Sequence, residues 1–252
     1  MAARNQNILD CRLCHHNKLK NIFDFGLVPL GNNLKSDKIE SLKIEKYPLS
    51  INKCLNCNHF QLNFSVDPDL LYATNYTYLT GIGNSFRKHL ERFAKNILKY
   101  HSNEKSSYRP RVIDIGSNDG TALSYFKKMG CQVLGIDPAK IPSKIANKNG
   151  INTINKFFSL NLAKKIVQEN QLFDIVISHN VLAHIEDFSG VMNAIKTLMD
   201  GESIFIFEVG YFHDVFDNLW FDTIYHEHLD YHTISPLKDF FDANEMKLFD
   251  VE

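Results

Sequence analysis

From Asn84 to Tyr100 the apolar residues Phe86, Leu90, Phe93, Ile97 and Leu98 recur at helical spacing, with basic residues between them. That pattern predicts an amphipathic helix. The following HSNEKSSYRP is polar and ends in proline, so it reads as a linker. Beyond it the pattern shortens to apolar, β-branched runs that alternate with helical stretches. RVIDI (111–115), QVLGI (132–136), INTI (151–154), FDIVISH (173–179) and SIFIFEV (203–209) read as strands. Between them, 121–129, KIPSKIANKNG, 160–170 and 188–199 read as helices, two of them stopped by Gly130 and Gly150. A last helix is expected from Ser235 as cap and Pro236 as first helical residue to about Asn244, and MKLFDV as a sixth strand. Strands alternating with helices predict an α/β fold, a doubly wound and mostly parallel sheet covered on both faces.

The N-terminal part does not share this rhythm. Four of the five cysteines fall there as two Cys-x-x-Cys pairs, Cys11 and Cys14, then Cys54 and Cys57. Two short loops that each present two thiolates suit the tetrahedral preference of Zn²⁺, and a closed four-sulfur site is structural rather than catalytic. His15, His16 and His59, next to the pairs, are expected at the surface, and Cys131 in the core. The chain therefore divides into a zinc-binding domain (1–65), a helical connector (66–110) and a Rossmann-like domain (111–252).

Composition narrows the setting. With 44% hydrophobic and 23% charged residues the chain has the make-up of a globular protein. It has no apolar run long enough for a membrane span and no leader pattern, so a cytoplasmic location is expected. A net charge of −1 gives no general attraction to phosphate backbones and argues against nucleic acid as the main partner.

The first strand of the Rossmann-like part runs into a glycine turn, VIDIGSNDG. Backbone N–H groups at such a turn, and the helix that follows, can meet a polar ligand. Gly116-x-x-x-Gly120 lacks the spacing a dinucleotide requires, which disfavours nicotinamide and flavin cofactors. Asp137 ends the next strand, where an acid can accept from the hydroxyls of a ribose. This succession resembles the class I S-adenosylmethionine-dependent methyltransferases. The resemblance implies that Asp114 orients the loop, that Gly116, Asn118 and Gly120 let it approach the amino-acid end of the cofactor, and that Asp137 holds the ribose. VISHNVLAH (176–184) resembles the fourth-strand motif that closes the same pocket, with Asn180 at the strand end.

The stretches CRLCHH…FDFGLVPLGNNL, CLNCNHFQL, NYTYLTGIGNSFRKH and FDTIYHEHLDYHT extend the match. Together they resemble the sugar C-methyltransferases that act on nucleotide-linked 4-keto-deoxysugars. In that family a base removes the proton beside the ketone, and the enolate carbon takes the methyl group. The resemblance implies that His228 is the base, that Glu227 orients it, and that Tyr76, His184 and Tyr225 contact the sugar or its enolate. Histidine suits the first role by its pKa, and hydroxyl or imidazole donors suit the oxyanion. YHEHLDYHT is not a zinc-protease motif, because the residue four after His226 is Asp230. His226, Asp230 and His232 are expected as solvated surface or in loop hydrogen bonds. Family members carry a further C-terminal domain, which this chain is expected to lack. An exposed sheet edge would then call for a homodimer contact or another partner. Two other readings stand beside this one: methylation of a different small-molecule acceptor, and a catalytically silent cofactor-binding scaffold.

Overall fold

The computed structural model describes residues 5–31, 34–73, 76, 78–100, 108–170 and 172–252. Most of the expected linker, and Asn32, Asn33, Asn75 and Thr77 of the quoted stretches, lie outside the described residues. In chain order the principal strands are β1 (Leu19–Pro29), β2 (Lys46–Cys54), β3 (Phe60–Leu62), β4 (Arg111–Ile115), β5 (Gln132–Ile136), β6 (Thr153–Ile154), β7 (Ile175–His179), β8 (Ile204–Glu208) and β9 (Asp230–Tyr231). The principal helices are α1 (Asn84–Tyr100), α2 (Thr121–Lys128), α3 (Lys140–Lys148), α4 (Leu160–Asn170), α5 (Phe188–Thr197) and α6 (Ile234–Ala243). Packing divides the chain into two units, one of residues 72–181 and 189–208, the other of 1–71, 182–188 and 209–252.

The first of these holds a parallel sheet in the order β8-β7-β4-β5-β6. Its strands are short apolar runs because helices cover both faces, so alternation with polar residues is not needed. Leu90, Ala94 and Ile97 of α1 and Ala122, Leu123 and Phe126 of α2 are buried in one cluster with Val112, Ile175 and Ile177 of the sheet. The chain leaves β4 outward through β5 and β6, then returns to the other side for β7 and β8. The carboxyl ends of β4 and β7 therefore flank the point where strand order reverses, where open α/β sheets bind ligands.

The other unit is an antiparallel sheet in the order β9-β3-β2-β1. Leu49, Ile51, Leu62, Ile224, Leu229 and Tyr231 form its buried cluster. Its edge strand β9 comes from the far end of the chain, with Asp230 opposite Gln61 and Tyr231 opposite Phe60.

Two local expectations need correction. α6 begins at Ile234 after an extended Thr233, so Pro236 sits inside the first turn. Proline is tolerated there because those N–H groups have no intrahelical acceptor. MKLFDV forms no strand: it finds no ladder partner among the described residues, and Phe249 and Val251 lie exposed.

Candidate functional site

The two cysteine knuckles are near copies. In one, His15 N–H donates to Cys11 O and Cys11 N–H to His16 O; in the other, Asn58 donates to Cys54 O and Cys54 N–H to His59 O. The residue four after the first cysteine turns left-handed in each, His15 at φ 57° and Asn58 at φ 65°, residue types that tolerate it. The turns bring all four sulfurs within 4.8 Å of one another, with Cys11 3.5 Å from Cys57 and Cys14 3.6 Å from Cys54. Zn–S bonds of about 2.3 Å in a tetrahedron require sulfurs about 3.8 Å apart, so the set fits zinc. Asn56 supports it from outside, donating its backbone N–H to Cys54 and its amide to Cys14.

His59 is not a surface residue. It is fully buried and its Nε2 lies 2.9 Å from Asp230 Oδ1. Asp230 also receives Arg12 Nε on both carboxylate oxygens, at 2.9 and 3.1 Å. Burial alone would raise the proton affinity of Asp230, but Arg12 and His59 outweigh it and hold the pKa down at about 2. His226 and His232 are likewise buried rather than solvated. His226 Nε2 faces the carbonyls of Tyr47 and Pro48. The ring of His232 lies among His59 and Phe188. Such burial follows from β9 being paired in a sheet, which the density of polar letters in YHEHLDYHT conceals.

The glycine loop is built by contacts that exclude side chains. Gly116 has φ 78°, donates its N–H to Ile136 O, and a Cβ there would lie 2.2 Å from Val181 Cγ2. Gly120 (φ 76°) caps α2, and a Cβ on it would press on Ile151 and Ala146. Asp137 accepts the backbone N–H of Asn118 and of Ala139, each at 2.8 Å. Burial raises its proton affinity and those two donors offset only part of the effect. A carboxylate with two lone-pair directions left can still accept hydroxyls. Asp114 is enclosed within β4, where burial, with the Asp137 charge adding to it, raises the proton affinity of its carboxyl well above the usual carboxylate range. Asp114 Oδ1 and Ser117 Oγ have no hydrogen-bond partner among the described residues. Two orphaned polar atoms beside a loop cleared of side chains fit a polar ligand at the sheet's switch point.

Asn118 points elsewhere. Its side chain accepts the N–H of Thr80 and donates to Tyr78 O, while Gly81 N–H donates to Asp119 Oδ2. The tyrosine-rich segment is thereby stapled to the glycine loop, and Tyr76 packs edge-on between Tyr72 and Tyr78. Asn180 stands exposed at the end of β7, left-handed at φ 53°, its N–H on Glu208 O.

Residues 225–228 form a tight turn, closed by His228 N–H on Tyr225 O at 3.0 Å. The turn sets the Tyr225 and His228 rings 4.4 Å apart. His228 Nδ1 lies 2.8 Å from Thr223 O, and since a carbonyl only accepts, Nδ1 carries the proton. Nε2 is therefore a lone-pair acceptor, 3.3 Å from the Tyr225 hydroxyl, which donates to it. Burial lowers the pKa of His228, partly offset by the Thr223 carbonyl. Tyr225 is pushed up to about 12 by burial and the nearby Glu227 charge, so it stays a donor. His184, in the short turn Leu182–His184, places Nδ1 2.7 Å from Glu227 O and its ring 4.9 Å from His228. Thus His184, Tyr225, Glu227 and His228 come together in one unit. Tyr76 belongs to the other, with Asp114, Gly116, Asn118, Gly120, Asp137 and Asn180. Sequence reasoning missed the support beneath the turn, Arg12, His59 and Asp230; the adjacency of Arg12 and His59 to the knuckles was the available signal.

A family model described as a methyltransferase domain matches residues 86–249, and one described as "Putative zinc binding domain" matches 11–72. The C-methyltransferase NovU of Streptomyces niveus is 28% identical over 242 residues, 96% of this chain and 57% of the relative. A ubiquinone biosynthesis O-methyltransferase of Colwellia psychrerythraea is 29% identical over 105 residues, 40% of this chain and 42% of the relative. The chain thus spans about half the length of these curated relatives. The plantazolicin methyltransferase BpumL, solved in complex with SAH, superposes with a TM-score of 0.51 at 18% identity, over 62% of this chain and 63% of that one. BamL, solved with a desmethylPZN analog and SAH, gives 0.52 at 16% identity, over 64% of this chain and 62% of that one. These likenesses concern the fold alone. No helix among the described residues is long and apolar enough to cross a membrane.

Proposed function

The chain belongs to the methyltransferase domain family, and on that premise we propose that it transfers a methyl group from S-adenosylmethionine to a carbon of a nucleotide-linked keto-deoxysugar. One observation carries the choice of carbon over oxygen or nitrogen: a histidine with its tautomer fixed by Thr223 O, so that Nε2 is the acceptor, and a tyrosine O–H that donates to it and can turn to a ketone oxygen when substrate binds. A carbon acid beside a ketone needs both a base and a donor for the enolate oxygen. The extent of the relatives supports the same reading. NovU, named a C-methyltransferase, matches nearly the whole chain, whereas the O-methyltransferase of Colwellia psychrerythraea matches 40% of it.

When bound, S-adenosylmethionine supplies an electrophilic methyl group on a sulfonium. Asp137 would accept from its ribose hydroxyls, and the carboxyl of Asp114 with Ser117 Oγ would meet its polar end. Gly116, Asn118, Gly120 and Asn180 would form the surrounding wall. His228 Nε2 removes the proton beside the ketone, and the pair of electrons left on carbon is shared with the carbonyl oxygen. Tyr225 O–H donates to that oxygen as charge develops. The backbone carbonyl of Glu227 fixes His184 with Nδ1 protonated, and His184 would contact the sugar. The family resemblance assigns Tyr76 a substrate contact as well. Zinc on Cys11, Cys14, Cys54 and Cys57 is structural, and the protein acts in the cytoplasm.

The test uses methyl-labelled S-adenosylmethionine with a nucleoside-diphosphate 4-keto-deoxysugar in D₂O. A carbon-bound methyl group, and deuterium entry at the adjacent carbon without the methyl donor, are expected. A methyl group on oxygen, or no deuterium entry with intact binding of both ligands, would overturn the reading.

A further inference from the structure

The zinc knuckle and the turn that carries His228 are usually separate matters, one structural and one chemical. Here one side chain joins them. Arg12 lies between the ligand cysteines Cys11 and Cys14, so its backbone is fixed wherever the knuckle is fixed. Its own N–H donates to Gln61 Oε1 at 2.9 Å, and Gln61 Nε2 returns to Asp10 O at 3.0 Å. The guanidinium then reaches two segments distant in sequence. Nε binds both carboxylate oxygens of Asp230, and Nη2 donates to the carbonyl of Ile185. His59, two residues beyond Cys57, holds the same carboxylate from the second knuckle.

Asp230 is two residues from His228, and Ile185 is adjacent to His184. The two segments are also tied directly, since Leu229 N–H donates to Ala183 O at 2.7 Å and Leu62 N–H to Leu229 O at 2.9 Å. Arg12 and Asp230 side chains are 7% and 0% exposed, so the pair is held in a dry interior where each partner is costly to leave alone. A guanidinium that shares its Nε–H between both oxygens of Asp230 and sends Nη2 to a backbone carbonyl fixes direction as well as charge, which lysine cannot reproduce. The arrangement resembles an outer layer that orients ligands around a metal, but it is turned outward, toward the histidines.

We infer that Arg12 is a positioning residue for the proposed reaction: anchored in the loop between Cys11 and Cys14, it sets through Asp230 and Ile185 the spacing of His228 and His184 without touching the substrate. The inference rests on the carbon-methylation reading for its activity arm alone. An imidazole displaced by about 1 Å loses about 100-fold in rate.

The test compares wild-type, Arg12→Gln, Arg12→Lys and Asp230→Asn proteins. Zinc content, S-adenosylmethionine affinity by calorimetry, and the His228 Nδ1–H resonance in ¹⁵N-histidine-labelled protein are measured beside deuterium entry into the keto sugar. In Arg12→Gln and Asp230→Asn, one zinc per chain and donor affinity within twofold of wild type are expected. The His228 resonance should shift or broaden, and deuterium entry should fall about 100-fold. Arg12→Lys, which keeps the charge and loses the fork, should fall between. An unchanged His228 resonance in zinc-loaded Arg12→Gln, or in Arg12→Lys if the first does not fold, would overturn the inference. If the wild type exchanges no deuterium, the reaction assignment fails, while the resonance still decides whether Arg12 positions His228.

Discussion

The glycine loop and the histidine turn solve the same problem, the precise placement of polar groups, by opposite means. In the loop the work is done by backbone. Positive φ at Gly116 and Gly120 and two N–H groups on Asp137 arrange a site from residues that lie close together in sequence. In the turn the near contacts are local, since Thr223 O fixes His228, but the support is remote: Arg12, His59 and Gln61 reach Asp230 from the other end of the chain. A backbone site fails when a side chain intrudes. A supported turn fails when a distant partner is removed, and the two failures separate binding from chemistry.

The largest separation is expected from His228→Ala. Removing a general base costs about 10²- to 10⁴-fold, and the affinity for S-adenosylmethionine should stay within twofold of wild type. Deuterium entry and methyl transfer would fall together. Because burial lowers the His228 pKa, the acid limb of the wild-type profile should lie below the ordinary histidine value of about 6.5. Methyl transfer retained within tenfold in the alanine variant would move the base to another residue, His184 first.

That contrast also explains what could be read in advance. Helix α1, the five parallel strands and the four-cysteine set follow from local period and spacing, which a one-dimensional pattern carries. Asp137 was legible because a strand, a turn, a helix and a second strand fix its distance from Gly116. His59, Asp230, His226 and His232 were not, because polar letters report burial only once their partners are known. Asp230 belongs inside because Arg12 neutralises it, and nothing near Asp230 in the sequence announces Arg12. The absent sixth strand has the same origin. MKLFDV has strand composition, and ladder partners decide whether composition becomes structure.

A smaller effect, confined to the loop, is expected from Gly116→Ala. The added methyl meets Val181 Cγ2 at 2.2 Å, and the residue must hold φ 78°. Left-handed strain costs roughly 1–2 kcal/mol, and overpacking adds roughly 1–3 kcal/mol. Urea denaturation should show a loss of about 2–5 kcal/mol, with weaker S-adenosylmethionine binding and an unaltered His228 resonance. Val181→Ala in the same chain removes the clash and leaves the strain, so it should restore about half. No restoration would mean that the loop depends on φ alone.

The smallest effect concerns a buried histidine at the carboxyl end of β7. Both His179 nitrogens lack a hydrogen-bond partner among the described residues, and the ring stands edge-on to Phe93 at 4.6 Å. Burial pushes its pKa down to about 4; the Glu208 charge opposes the shift and His89, which is paired with Glu208 at 2.7 Å, adds to it. The unfolded chain takes the proton near 6.5 and the folded chain does not, so the contribution is fully present above 6.5 and declines as pH falls toward 4. The slope is about 1.4 kcal/mol per pH unit. His232 behaves alike, also near 4 through burial, but the cysteine thiolates of its unit take up protons in acid as well and zinc leaves with them. His179→Leu should therefore flatten the urea-derived stability profile between pH 6.5 and 5 by about one such increment, with zinc content unchanged from wild type at each pH. An equal slope in wild type and variant would show that His179 is protonated in the fold, most simply through Glu208, and the parallel-sheet unit would then carry a charged pair where burial alone predicts a neutral ring.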